Sequence, residues 1–552
     1  MKRLPVASFF LAILVGIALV VGGYFLWFED RGVFVPVPFL QPLNDFATLQ
    51  WEPVKKRAPS EDDDGTRHPG FEQAKIHCVR CHSLPDPQQL PKETWPFVLT
   101  WMSNYLGYTN TYVPFGNNVD RRLMPAAPLL TELEFQQLAE YYLLFSPDRE
   151  RLTPRPGQSR NPTKRFVARN SQLNIPNGEL VTFAHFDEVE KRFLIGRGAS
   201  SKALQVFDRS GSLLLDLKTQ SEPIDVDPIP SGFRVTMMGD FMEDQLGGKV
   251  VDVTLKPGGH VETKEVITGY HRLTESHTAD LDADGIDDVL LVGFGAGSLG
   301  KVSVRWFESE GATAGETILI DYAGALNAHI HDFDRDGLDD VMLLTAQSKQ
   351  ELLLFLNQGG QRFEKRLIHQ EFAGFGYNHL SLSDFNEDGW LDLLIANGNN
   401  MEIKDAPLKP YHGIRILENN RDLTFSESFF YPMYGALKAL ASDFDRDGDQ
   451  DIAAIAFYPN WDVDNPESFV YLENQGNNVF HPTGLEQKDS GRWITMALGD
   501  VDQDGWRDVI LGGGYILQGV TSSHRDAYSN WIRTRPSVVV LENIGGRDPG
   551  LD

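Results

Sequence analysis

Asp332-Phe333-Asp334-Arg335-Asp336-Gly337-Leu338-Asp339-Asp340-Val341-Met342-Leu343-Leu344 is the stretch on which the fold turns. Carboxylates at positions one, three, five and nine, with glycine at six, are what a Ca2+ loop needs: hard oxygen ligands around a sharp turn. The pattern occurs five times: Asp280, Asp282, Asp284 and Asp288; Asp332, Asp334, Asp336 and Asp340; Asp384, Asn386, Asp388 and Asp392; Asp443, Asp445, Asp447 and Asp451; Asp500, Asp502, Asp504 and Asp508. An EF-hand would place a bidentate Glu at position twelve and flank the loop with helices. Here position twelve is Leu291, Leu343, Ile395, Ala454 or Leu511, and each ninth residue leads into an apolar run such as 289–292. These are β-loop-β sites, and about five Ca2+ ions are expected.

Each loop is followed by a second apolar run and an Asn turn, as at Asn357, Asn419, Asn474 and Asn543. Repeat starts lie about 52 to 59 residues apart, the length of a four-stranded propeller blade. The repeats resemble the FG-GAP or VCBS family, whose members fold as β-propellers with calcium loops between blade strands. Two degenerate copies precede them, at 185–188 and at Asp240 to Gly248, and no calcium is expected at either. Two degenerate and five intact repeats give seven blades, with six or eight as alternatives. The chain ends soon after Val538-Val539-Val540, so the last blade is expected to borrow its outer strand from residues near Phe166.

A second signal lies far upstream. Cys78-Val79-Arg80-Cys81-His82 holds the chain's only two cysteines, and C-x-x-C-H is the attachment signature of haem c. Each thiol adds across one haem vinyl group, and His82 becomes an axial ligand. A zinc site would need further Cys or His ligands at matched spacing, and no second Cys pair exists. Leu123-Met124-Pro125 offers a distal sulfur, with Met102 the rival. Thr131 and Glu134 then form a capping box ahead of an apolar face at Phe135, Leu138, Ala139 and Tyr142. This order resembles the class I cytochrome c family over about 80 residues. The resemblance implies Met124 as the distal ligand, and a terminal helix that crosses the one leading into C-x-x-C-H.

The N-terminus fits that chemistry. Haem is attached to this motif outside the cytoplasmic membrane, and Lys2-Arg3 precede an uncharged run from Leu4 to Phe28. That run reaches the ~20 residues a membrane-spanning helix needs, with aromatic residues at its outer end and basic residues inside. The expected location is therefore the bacterial cytoplasmic membrane, single-pass, with the bulk of the chain in the periplasm; a cleavable signal peptide is the alternative. The chain reads as multidomain: a transmembrane anchor at 1–28, a spacer at 29–66, a small all-α cytochrome c domain at 67–147, a linker at 148–168 and an all-β propeller at 169–552. A formal net charge of −28 argues against nucleic acid as a partner. Periplasmic or membrane redox proteins fit better.

The strand entering each calcium loop should be the innermost of its blade. Counting back three and five residues from each first Asp gives Glu275 and His277, Asn327 and His329, His379, and Lys438. Such side chains around one axis suit a transition metal or a substrate, or merely line a polar channel. Three functions follow: a membrane-anchored mono-haem electron carrier with the propeller as docking or ligand-binding module, an oxidoreductase whose channel uses the haem as electron port, or an adhesion module. The first is preferred, and whether the chain is an enzyme stays open.

Overall fold

The computed structural model describes residues 65–108, 121–149 and 161–545, apart from short segments at 171–172, 230–231, 240–245, 257–259, 297–298, 310–311, 401–405, 487–488 and 518. The apolar run from Leu4 to Phe28 lies outside them. Among the described residues no helix is long and apolar enough to cross a membrane.

Short β-branched and apolar runs, each closed by a turn, pair into seven antiparallel four-stranded sheets. Their first strands are Val181–Asp187, Pro223–Ile229, Leu273–Ala279, Ala325–His331, Tyr377–Ser383, Ala436–Ser442 and Trp493–Gly499. These seven strands neighbour one another in a closed ring, so they are innermost and the molecule is a seven-bladed β-propeller. The core is a set of apolar layers between adjacent blades: Leu394, Ile414 and Ile416 of the fifth pack on Ile452, Val470 and Leu472 of the sixth, all fully buried.

Closure occurs where the sequence suggested. Phe166–Asn170 pairs antiparallel with Val538–Asn543, Phe166 opposite Asn543, and supplies the outermost strand of the seventh blade. Phe166 sits edge-on to Phe444, Phe469 and Tyr471, which ties the ring's two ends into one core. The propeller thus begins three residues inside the expected linker. The expected second degenerate copy, Asp240 to Gly248, needs correction. It falls between the second and third strands of its blade, Gly232–Met237 and Gly248–Leu255, whereas each of the five carboxylate loops joins first to second. Between the first and second strands of that blade, Pro223–Ile229 and Gly232–Met237, the sequence has only Pro230 and Ser231 and no carboxylate.

Residues 65–149 form a small helical unit. Helix α1, Pro69–His77, has Pro at N1 and runs directly into Cys78. Helix α2 spans Trp95–Met102, and helix α3 spans Glu132–Phe145. The Thr131–Glu134 capping box is present as read, and Phe135, Leu138, Ala139 and Tyr142 are all buried. Helices α1 and α3 touch at Gly70, where a Cβ would lie 2.0 Å from the Gln137 carbonyl oxygen. Only glycine permits that approach.

Candidate functional site

In an antiparallel blade, turns between first and second strands open on one face of the ring. Turns between second and third strands, and links to the next blade, open on the other. The five carboxylate loops therefore share one face. In each loop the fourth residue is left-handed (Ala283, Arg335, Glu387, Arg446 and Gln503, φ 56 to 65°) and the glycine at six has φ of 81 to 106°. The first Asp holds the turn: Asp332 Oδ1 and Oδ2 accept from the backbone N–H groups of Asp336 and Gly337 at 3.1 and 3.0 Å. The ninth Asp is a staple. Asp340 accepts from Phe333 N at 3.0 Å and from Asn357 N, on the third strand, at 2.7 Å. Burial first, and the other loop carboxylates second, push Asp288 and Asp340 up to about 6 and Asp508 to about 7.

The loop carboxylates are close enough together that they could hold a cation. Ligand oxygens of Asp280, Asp282 and Asp288 lie within 4.8 Å of one another, as do those of Asp332, Asp334 and Asp336; of Asp443, Asp445 and Asp451; and of Asp500, Asp502 and Asp504. In the third loop Asn386 puts an amide at position three, between Asp384, Asp388 and Asp392. Asp282 Oδ1, Asp443 Oδ1 and Asp500 Oδ1 are buried without a hydrogen-bond partner, which a hard cation would remedy. The first blade solves the same turn differently: Arg192 pairs with Asp187 at 3.0 Å and lies over the Phe233 ring. The Asn turns do more than turn. Asn357 Nδ2 donates to Leu281 O of the preceding blade at 2.7 Å, and Asn543 Nδ2 to Phe444 O at 2.8 Å.

The inner strands bring the channel residues together. Glu275 Oε2 meets His277 Nε2 at 3.1 Å, while Asn327 Nδ2 and Ala328 N donate to Glu275 at 2.8 and 3.0 Å. Burial alone would lower His277; the Glu275 ion pair and nearby Asp225 and Asp227 instead raise it to about 9. Burial, reinforced by Glu275, raises Asp225 to about 7. Burial lowers Lys438, against the pull of Glu275 and Asp225. His329 Nε2 pairs with Leu380 O at 2.9 Å, whereas His379 Nδ1 is buried and unpartnered. The carboxylates thus occupy the second and third blades, with His277 paired among them, and the imidazoles of His329 and His379 and the amine of Lys438 line the fourth to sixth. Sequence reading missed Asp225, Asp227 and His185. The second blade offers no loop to count from, although the 52-residue period would have reached its inner strand.

The opposite face carries the helical unit. Cys78, Cys81 and His82 line a cleft of about 1440 Å³, part of it open to solvent, with Trp95, Leu99 and Met102 of α2 and Leu138 and Tyr142 of α3. Its far wall is propeller: Gln347, Gln350, Phe372, Gly374, Asn399 and Lys409. The two thiols are not bridged. Burial holds His82 below its ordinary value, hence neutral, and its Nδ1 meets Ser83 O at 2.7 Å. A ring that gives Nδ1–H to a carbonyl presents the Nε2 lone pair to a metal. Trp101 Nε1, also on the cleft, is buried without a partner. Unbridged thiols, a neutral imidazole and mostly apolar walls fit a covalently held haem. Of the two sulfurs, Met102 lines the cleft and Met124 does not. Met124 sits on a strip tethered beside it, through Leu129 N to Leu106 O at 2.9 Å and Arg122 to Asp321 at 3.5 Å.

Residues 280–343, 332–395 and 384–454 match the FG-GAP-like repeat, each match starting on the first Asp of a loop. The propeller carries FG-GAP repeats. Similar solved structures include the N-terminal domain of Nup159 (11% identity, 70% of this chain and 96% of that one, TM-score 0.39). An ancestral GH74 enzyme shares 8% identity over 70% of this chain and 51% of its own, with TM-score 0.44. A periplasmic gluconolactonase of Pseudomonas aeruginosa shares 13% over 55% and 86%, with TM-score 0.38. The FG-GAP match spans the third to sixth blades. The fifth loop, at Asp500, extends the same pattern beyond it.

Proposed function

We propose that this chain is a mono-haem c-type electron carrier of the class I kind, mounted on a calcium-stabilised FG-GAP propeller and held at the outer side of a bacterial cytoplasmic membrane. The observation that carries this reading is the cleft: Cys78, Cys81 and a neutral, carbonyl-oriented His82 face the same mostly apolar space. Haem c would supply one-electron chemistry there. The chain's residues do the rest. Cys78 and Cys81 would hold the group covalently, His82 would present Nε2 to the iron, and Met124, on the class I cytochrome c resemblance alone, is the proposed second ligand. Leu99, Leu138 and Tyr142 exclude water. A thioether ligand favours a higher potential than a second His. The proposed partners are periplasmic or membrane redox proteins.

About five Ca2+ ions are proposed at the loops, where they offset clustered carboxylates rather than take part in electron transfer. Extracellular-type loops bind with Kd on the order of 10⁻⁴ to 10⁻³ M. The deciding experiment is co-expression with a haem c maturation system, followed by denaturing gel and pyridine haemochrome assay. One covalent haem per chain supports the proposal; a chain that leaves the cell without haem sinks it.

The channel supports a second reading, a small-molecule site with the haem as electron port. Its supporting observation is the buried, unpartnered His379 Nδ1 within a ring of compensated charges. Lys438 and the Glu275-bound His277 make the channel a poorer fit for a metal cation than the loops. His277→Ala and His329→Ala should leave the haem potential unchanged. Loss of turnover with an electron donor in those variants would favour this reading over the first.

A further inference from the structure

The cleft is built by two domains, and the propeller's share is specific. Gln370 Nε2 donates to Cys81 O at 3.1 Å, and Ser83 N donates to Glu371 O at 3.4 Å. The link between the fourth and fifth blades therefore grips the C-x-x-C-H segment itself. Next along that link, Phe372 and Gly374 line the cleft, and across from them the fifth-blade loop supplies Asn399 and Lys409. Lys409 is 3% exposed, and its Nζ donates to the carbonyls of Gly374 and Asn399 at 3.1 and 3.3 Å. A long flexible cation is thus fixed in place at the wall of a mostly apolar space. Trp101 Nε1 is a buried donor on the same cleft, contributed by the helical unit.

We propose that the propeller forms the second half of the haem pocket, and that Lys409, with Trp101, receives the carboxylate edge of the porphyrin. This rests on the haem reading above. The chemical logic is charge matching. Haem is apolar over most of its surface and carries two propionates on one edge. The helical unit offers apolar walls, whereas the propeller side offers amides, carbonyls and one fixed ammonium. An ammonium close to a carboxylate in a water-poor cleft interacts far more strongly than in bulk solvent. The propeller then sets the haem's charge environment, and with it the iron's preference between its two oxidation states.

The test compares Lys409→Gln, Lys409→Arg and Trp101→Phe in the full chain, each assayed for haem content and for midpoint potential by spectroelectrochemistry. Lys409→Gln should keep one covalent haem and lower the potential, because an uncompensated carboxylate near the iron favours the ferric form. Lys409→Arg should restore it. Trp101→Phe should lower it less. An unchanged potential in a haem-loaded Lys409→Gln protein overturns the inference while leaving the haem reading intact. Absence of haem from the unsubstituted chain would instead defeat the reading beneath it. If Lys409→Gln fails to fold, Trp101→Phe decides: an unchanged potential there overturns the proposal.

Discussion

The two faces of the propeller make the instructive comparison. One face is five copies of a local device, in which nine consecutive residues contain the turn, the donors and the staple. The other is a single docking surface, assembled from blade links 321–324 and 371–376, residues on the connection between 397 and 413, and the helical unit at 65–149, far upstream in sequence. Local devices recur and can be read from spacing. A docking surface has no period.

The faces are expected to fail independently, and the largest effect should come from the docking face. Changing Cys78 and Cys81 to Ser should abolish covalent haem, seen as loss of haemochrome signal, while the calcium-dependent melting transition stays as it was. If the propeller unfolds as well, the faces are coupled and the comparison breaks.

Calcium removal is the reciprocal change. At about 2 mM Ca2+ and loop affinities on the order of 10⁻⁴ to 10⁻³ M, each filled loop contributes roughly 0.6–1.8 kcal/mol. A chelator should therefore lower the Tm clearly and leave the haem spectrum unchanged; an unmoved Tm would contradict a structural role for the loops. Gly70→Ala should cost about 1–3 kcal/mol by overpacking the α1–α3 crossing, read as unfolding of the helical unit at lower denaturant with the propeller's own transition unshifted.

Two further tests sharpen the contrast. Met124→Leu should lower the haem potential and remove the sulfur-to-iron charge-transfer band, whereas Met102→Leu should leave both in place. The reverse result would move the distal ligand to α2. The smallest effect is in pH dependence. Without a cation, buried Asp340 titrates at about 6 and Asp508 at about 7, against an ordinary value near 4. The native chain then holds more protons than the unfolded one between pH 4 and 7, so its stability falls as pH rises through that window. Calcium competes with those protons, so the Tm gain from calcium should grow from pH 5 to 7.5. His277, raised to about 9, adds a stabilisation that is present below pH 6.5 and fades towards pH 9. That part should persist with calcium bound.

Legibility in the sequence followed the same division. The five loops, the seven blades, the borrowed strand at Phe166 and the α3 face at Phe135 to Tyr142 were all readable, because each is set by spacing within one element or by a repeated length. Half of the channel was readable for the same reason: Glu275, His277, His329, His379 and Lys438 sit at fixed steps before an Asp. Asp225 was not, because its blade has only Pro230 and Ser231 between its first two strands and no loop carboxylate to count from. Asp240 drew a false match because local acidity resembles a loop without being in its register. Lys409 and Gln370 carried no signal. Gln370 acts through a contact with Cys81 across 289 residues of chain, and Lys409 through a cleft wall it shares with Gly374 and Asn399, neither of which spacing reveals.

A metal count on the purified chain after haem maturation, without chelator, tests the central claim most directly. The account predicts one iron and about five calcium ions per chain, with the iron lost in the Cys78/Cys81 variant and the calcium retained. Calcium without iron in the unsubstituted chain, or iron without calcium, would contradict the assignment of one cofactor to each face.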